Sequence, residues 1–206
     1  MSDRKAVTCV LNVVLCGATG FGFVKAAPAE HPWAFTACLI GFCHGLTGLL
    51  HALVDHHDDE DHRNHFRKAH RVTSRIMEII PLPLVNVDLY LAAESNNIAL
   101  AHGMFLVPLG ISMILGLFRS EVENEDFGTL DTLKVLTILG NITSLVFLAI
   151  NDSSWKLGGM AFLAFMAKFG AEYVEDKWVE RSAMPITYIS WSGFFILAAL
   201  AVSGEK

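Results

Sequence analysis

"IMEIIPLPLVNVDLYLAA", residues 76–93, is the stretch that decides how this chain is folded. It is one of seven long apolar runs, each near the roughly 17–25 residues that a helix needs to cross a bilayer. It is also the weakest run, because it contains Glu78, Asn86, Asp88 and two prolines. The choice between six spans and seven therefore depends on it. The other six runs cover 6–24, 32–54, 98–118, 133–150, 155–173 and 185–202.

The composition favours a membrane protein. The chain has 206 residues, is 53% hydrophobic and has only 17% charged residues, against about 25% in ordinary soluble domains. Its apolar runs are continuous rather than alternating, and an open sheet edge cannot lie in lipid. We therefore predict an all-α, polytopic membrane helix bundle, with residues 1–206 forming a single transmembrane domain. The bilayer is then its first partner. A net charge of −6 without a basic stripe gives no reason to expect nucleic acid.

The positive-inside rule tests the number of spans, because lysine and arginine accumulate in cytosolic loops. With seven spans and a cytosolic N-terminus, 12 of the 15 basic residues lie on the cytosolic side and only 3 lie outside. Without the span at 76–93, everything after it is inverted, and the 15 residues divide 9 to 6. We therefore predict seven spans, with six as the alternative. A His/Asp-rich loop at 55–75 and an acidic loop at 119–128 are then cytosolic.

The segment "VDHHDDEDHRNHFRKAH", residues 54–70, follows the second run and raises the possibility of a metal site. Imidazole and carboxylate groups are ligands for zinc and iron. His51 and Asp55 are four residues apart on one helix face, and His62 and His65 share a face if the segment that follows Asp61 is helical. These four residues are the predicted ligands for Zn or Fe.

Two other interpretations of this His51–His70 cluster stay open. The first is a solvated loop, in which the acids come before the bases, an order that suits a helix starting near Glu60. His70 would then be a surface residue. The second is a pH sensor, because histidine titrates near neutral pH.

Asp88 and His102 form a second constellation, inside the membrane. The third and fourth spans make a hairpin with its turn at 94–97, and the two residues are nearly equidistant from the turn. They should therefore lie at equal depth and could meet as an intramembrane polar pair. Ionisable groups at that depth normally face a partner or a water-filled cavity. The pair is either a proton relay or a structural contact between helices.

Other residues predict how the helices pack. Polar residues within spans should face neighbouring helices rather than lipid; these are Asn12, His44, Asn141 and Ser144. Small residues on one face permit close helix approach, as in Gly41-x-x-x-Gly45 with Gly48. Lys168 and Glu172, four residues apart, should pair with each other. The four cysteines lie in apolar runs without metal-binding spacing and should be free thiols; they are Cys9, Cys16, Cys38 and Cys43.

The amino-acid sequence leaves three functions open. The favoured one is a non-catalytic accessory, assembly or scaffold component of a membrane complex, with other membrane proteins as partners. The second is a small transporter or proton-coupled channel that uses Asp88 and His102. The third is a metal-dependent membrane enzyme that uses the His51–His70 cluster. No hydrolase elbow, P-loop or dinucleotide-binding motif is present to favour a further class of enzyme.

The predicted topology can be tested with terminal tags. Because the lysine and arginine count favours seven spans, a tag before Met1 should be cytosolic, and a tag after Lys206 should lie on the opposite side. Protease protection or a glycosylation reporter measures the side. Two tags on the same side would remove the span at 76–93, and the equal depth of Asp88 and His102 would no longer be expected.

Overall fold

The computed structural model describes residues 2–54, 60–118 and 127–204, and these residues are almost entirely helical. The apolar runs of the sequence are helical almost throughout, because a helix satisfies its backbone groups internally. A π-helix, Met166–Gly170, interrupts one of them. The α-helices of the described residues are α1 (Ser2–Lys25), α2 (Pro32–Val54), α3 (Glu60–Ile79), α4 (Pro81–Ala92), α5 (Asn96–Phe118), α6 (Phe127–Asn151), α7 (Trp155–Phe165), α8 (Ala171–Lys177) and α9 (Ala183–Val202).

The deciding stretch, 76–93, is divided between two helices. Its first residues are the end of α3, and Pro81 then begins α4, since proline fits the first turn of a helix better than its interior. Helix α3 begins at Glu60, where the order of acids and bases predicts it. Residues 60–75 of the expected His/Asp-rich loop are therefore helical, whereas 55–59 lie outside the described residues. The acidic loop also lies outside them, apart from the first residues of α6.

Four helices of the described chain are long and apolar enough to cross a membrane. This supports an integral membrane protein of the all-α class. Helices α4 and α7 have only 12 and 11 residues, so neither is long enough to cross alone. Helix α7, however, continues without a break through the π-helix into α8. The four long helices cover Lys5–Lys25, Pro32–Val54, Thr132–Asn151 and Ala183–Val202.

Helix α4 lies at the centre of the bundle. Every residue from Pro81 to Tyr90 is buried, and α4 packs against α2, α5, α6 and α9 as well as α3. The surrounding helices turn apolar side chains outward instead, so that Leu100 is 64% exposed and Ile150 is 71% exposed. A large apolar outer surface is what a lipid environment requires, and a monomer in water rarely shows one.

Glycines allow α1 and α2 to approach closely, as the sequence predicts. A methyl group added to Gly41 would lie 2.7 Å from Thr19 on α1 and 2.8 Å from the ring of Phe195 on α9. One added to Gly45 would lie 3.1 Å from the backbone oxygen of Asn12. These spacings leave no room for a side chain, so the predicted glycine face packs within the bundle.

Cysteines fill part of the same interface. The Cys16 sulfur lies 2.7 Å from where a methyl group on Gly45 would be, and the Cys38 sulfur closely approaches Gly22 in the same way. All four cysteines are free thiols, as predicted. Cys16 and Cys38 therefore act as small apolar side chains between the two helices.

The Gly41→Ala variant should destabilise the protein. Overpacking costs about 1–3 kcal/mol, whereas removing a helical glycine returns about 0.5–1 kcal/mol, so we expect a net loss of about 1 kcal/mol. Gly140→Ala on α6 is the matched control, because nothing lies within 4 Å of its added methyl group. Thermal unfolding in detergent measures both variants. If the two variants were equally stable, Thr19 and Phe195 would move to accommodate the methyl group without lowering the free energy of unfolding.

Candidate functional site

Two polar residues on one face of α4 bind α6. Asn86 donates from its side-chain nitrogen to the backbone and side-chain oxygens of Asn141, both at 3.0 Å. One helical turn later, the hydroxyl of Tyr90 donates to the backbone oxygen of Ser144 at 2.8 Å. Asn141 is buried and Ser144 is bonded to α4, which confirms that these polar residues face helices rather than lipid.

Asp88 lies on the opposite side of α4 and caps α2. Its carboxylate accepts a hydrogen bond of 2.5 Å from the backbone N–H of Ala34. Ala34 lies in the first turn of α2, where backbone N–H groups have no partner within the helix. A carboxylate at a helix N-terminus is also favoured by the helix dipole. Asp88 therefore has a structural partner that compensates for its burial.

His102 on α5 has different neighbours. Its Nε2 atom lies 2.9 Å from the Ser144 hydroxyl oxygen, and its ring stacks on Tyr90 with 5.4 Å between the ring centroids. Among the hydrogen bonds of the described residues, none joins Asp88 to His102. Distance from the turn correctly places His102 beside this part of α4. It does not give the side of the helix, and residues 88 and 90 point in nearly opposite directions.

A histidine cluster joins α2 to α3. The ring of His70 stacks on that of His44, with centroids 4.8 Å apart and planes inclined by 10°. The ring of His51 also stacks on His70, with 5.8 Å between the centroids. His70 is therefore not the surface residue that the loop interpretation predicts. Burial lowers the pKa of His70, and the nearby His51 lowers it further, because two positive rings so close would repel.

His44 is held by hydroxyl groups from two directions. Its Nδ1 atom lies 3.3 Å from the hydroxyl oxygen of Thr73 on α3, and its Nε2 atom lies 3.2 Å from the hydroxyl oxygen of Tyr188 on α9. Both ring nitrogens are thus engaged, which leaves no lone pair for a metal ion. His44 instead ties α2, α3 and α9 together.

The predicted metal ligands are only partly described. His51 is half-buried beside His70, and His65 is exposed on α3. Asp55 and the side chain of His62 lie outside the described residues. Within the described residues, no group of three or more His, Cys, Asp or Glu side chains is arranged to hold a metal ion. The four-residue set therefore stays a prediction.

A cavity of about 390 Å³ opens beside the histidine cluster. It lies between α3 on one side and the π-helix, α8 and α9 on the other, with α1 and α2 behind it. Its wall combines apolar, aromatic and charged side chains, a mixture typical of small-molecule sites. No sequence pattern indicates it, because its lining residues come in small groups from separate helices. They include Leu15, His44, His70, Met77, Glu78, Lys168, Glu172, Met184, Tyr188 and Trp191.

An ion pair bridges this cavity. The Lys168 ammonium group on the π-helix pairs with the Glu78 carboxylate on α3. The closest ionic contact of Lys168 is therefore Glu78 and not Glu172, the partner that the sequence predicts. Glu172 still acts on Lys168 electrostatically. In a π-helix, backbone hydrogen bonds run from residue i to i+5, and such segments are frequent at functional sites. The four-residue spacing from which the sequence predicted the pair takes no account of a partner on another helix.

A family model that describes a domain of unknown function, DUF4791, matches residues 28–202. The chain belongs to this family. The match takes in α2 to α9, and hence the polar contacts of α4, the histidine cluster and nearly all of the cavity wall. No curated protein and no solved structure matches the chain.

Double-mutant cycles separate the two groups of contacts on α4. Because Asp88 and His102 have different partners, we expect the losses of stability in Asp88→Ala and His102→Ala to add within about 0.5 kcal/mol. The control cycle pairs His102→Ala with Ser144→Ala. Its two residues share a hydrogen bond, so the double mutant should lose less than the sum, by about 0.6 kcal/mol or more. Unfolding in mixed micelles measures both cycles. Strong coupling in the first cycle alone would restore the predicted pair.

Proposed function

We propose that this DUF4791 protein is a multi-pass integral membrane protein that acts as a non-catalytic accessory, assembly or scaffold component of a membrane complex. In this proposal the chain crosses the bilayer seven times, with its N-terminus in the cytosol. Helices α1, α2, α6 and α9 are four of the crossings. The other three are residues 76–93 at the end of α3 and in α4, α5 with its 23 residues, and the continuous run from α7 through α8.

The observation that carries the proposal is how the buried polar groups are used. Asn86, Asp88 and Tyr90 each bond to a neighbouring helix, and His44 bonds to two. Polar contacts of this kind hold membrane helices together. A catalytic or proton-relay group must instead exchange partners with substrate or water, and the contacts of these residues fix them in place.

Two cytosolic segments are the proposed partner surfaces. They are the acidic stretch from Glu121 to Asp126 and the His/Asp segment at 55–59, both outside the described residues. Each carries several charged or titratable side chains in a short space. Charge complementarity makes a basic surface on another membrane protein the natural partner of the acidic stretch.

A second candidate function is the binding or transport of a small molecule. The cavity between α3 and α9 favours it, since its wall combines apolar and polar side chains, as small-molecule sites do, and part of that wall is a π-helix. This candidate shifts the site from the Asp88 and His102 of the sequence-based hypothesis to the Glu78–Lys168 region.

Purification of the full chain in a maltoside detergent tests the accessory role. We expect a membrane protein to co-purify in a fixed ratio and to be lost when Glu121, Glu123, Glu125 and Asp126 are all changed to amides, because the proposed contact is electrostatic. Changing Glu30 and Glu94 to Gln is the control, since the proposed topology places these residues on the other side of the membrane. Mass spectrometry and elemental analysis provide the measurements.

Two results would contradict the proposal. A chain that purifies alone has no stable partner. A chain that carries one zinc or iron per molecule, lost in His51→Ala, His62→Ala or His65→Ala, would support the metal-dependent enzyme, because a site with one ligand fewer holds the metal far less well.

A further inference from the structure

The charges on the cavity wall do not cancel. Glu78 and Glu172 are negative, and Lys168 is the one positive lysine or arginine among the described residues that line the cavity. Lys168 is already paired with Glu78. The wall therefore has a net charge of about −1 when the histidines are neutral, and the uncompensated carboxylate is that of Glu172.

Packing of the histidine rings on the wall disfavours a positive charge there. The rings of His44 and His70 are 4.8 Å apart and nearly parallel, so a charge on one raises the cost of a charge on the other. His51, whose ring also stacks on His70, acts in the same direction. The negative character of the cavity is thus maintained by the packing of α2 against α3.

Aromatic rings form another part of the wall. Tyr188 and Trp191, one turn apart on α9, both line the cavity, and the rings of His44 and Tyr188 lie 5.7 Å apart. The face of an aromatic ring attracts a cation within about 6 Å. Leu15, Met77 and Met184 provide apolar surface beside them. One wall thus suits an apolar body, while the mouth suits a positive charge.

We propose that this cavity binds a small organic cation, either a protonated amine or a quaternary ammonium ion with an apolar body. The charged group would lie near Glu172 and the aromatic rings of α9, and the apolar body would contact Leu15 and Met77. A volume of about 390 Å³ is sufficient, since small-molecule pockets span about 300–1,000 Å³. Such binding goes beyond the accessory role and depends only on the cavity.

The π-helix contributes Ala167 and Lys168 to the cavity wall. Lys168 lies within the π-helix and pairs with Glu78 on α3, while Glu172 acts on it only through its charge. The ion pair then closes one side of the gap between α3 and α9. Glu172, one turn later on α8, remains exposed at the mouth. Among the ion pairs of the described residues none involves Glu172, so its carboxylate is available to a ligand.

Binding should be measured with a probe of defined charge. Benzyltrimethylammonium is the cation, and neopentylbenzene is the matched control, because it replaces the nitrogen by carbon and keeps the shape. Phenylacetate reports on an anion. Isothermal titration calorimetry on the full chain in an uncharged maltoside detergent avoids competition from choline lipids. We expect the cation to bind at least about tenfold more tightly than either comparison compound.

Variants test the assigned residues. Glu172→Gln should weaken binding of the cation about fivefold to tenfold, because it removes the unpaired charge at the mouth. Glu180→Gln is the control: it loses the same charge nearby, but Glu180 does not line the cavity. Trp191→Leu should cost a similar factor through loss of the ring. Because replacing the buried Trp191 can also disturb folding, Tyr188→Leu is a second variant that removes a ring from the wall. Unchanged elution on size exclusion shows that each variant is folded.

Affinity should also depend on pH. As the pH falls through the lowered pKa of His70, that ring gains a positive charge and repels the cation. We expect binding to weaken several-fold as the pH is lowered from about 7.5 to below that pKa, and His70→Asn should remove most of the difference. The other charged or titratable groups that face His70 are His44, His51, Glu78, Lys168, Glu172 and Tyr188.

Three outcomes would overturn the proposal. Equal affinity for neopentylbenzene would reduce the cavity to an apolar pocket. Tighter binding of phenylacetate would make it an anion site centred on Lys168. No measurable binding of the cation up to millimolar concentration, in a chain that elutes as a single species, would show that the cavity has no such ligand. Each of these leaves the partner test of the accessory role unaffected.

Discussion

A short helix with three polar residues, buried on every side, is the constraint on which this bundle depends. Helix α4 has no face toward solvent or lipid between Pro81 and Tyr90, and an unsatisfied polar group in such a place costs several kcal/mol. Each polar side chain of α4 accordingly bonds to another helix, and only the Oδ1 atom of Asn86 has no partner among the described residues. Asn86 and Tyr90 fix α6, and Asp88 fixes the beginning of α2. The positions of these helices around α4 follow from those contacts.

The region around the cavity has the opposite character. There α3 is separated from α9 and the π-helix, and the ion pair between Glu78 and Lys168 spans the gap. The histidine cluster closes the space from the side of α2. One part of the bundle is thus packed and held by polar contacts, while another is open and has uneven charge. This division separates the structural polar residues from those that a ligand could reach.

The sequence predicted the positions of the helices well, because continuous apolar runs leave few alternatives in a membrane. It also predicted that Asn12, His44, Asn141 and Ser144 face helices. The partners of Asp88 and His102 could not be predicted in the same way. Distance from a turn gives depth, but a helix that is buried all round has no apolar face to show its rotation. Likewise, Lys168 was assigned to Glu172 because the two are four residues apart, whereas the residue with which it pairs, Glu78, lies on another helix. The cavity could not be predicted because its lining residues come from several separate helices.

The order in which the chain is synthesised gives the contacts of α4 a further meaning. The partner of Asp88 is 54 residues earlier in the chain, so α2 is available when α4 emerges. The partners of Asn86 and Tyr90 are 55 and 54 residues later. Until α6 has been made, one side of α4 has donors without acceptors and is poorly suited to lipid. The centre of the bundle is therefore completed late during biogenesis, and a chain that stalls before Asn141 leaves the donors of Asn86 and Tyr90 without their acceptors.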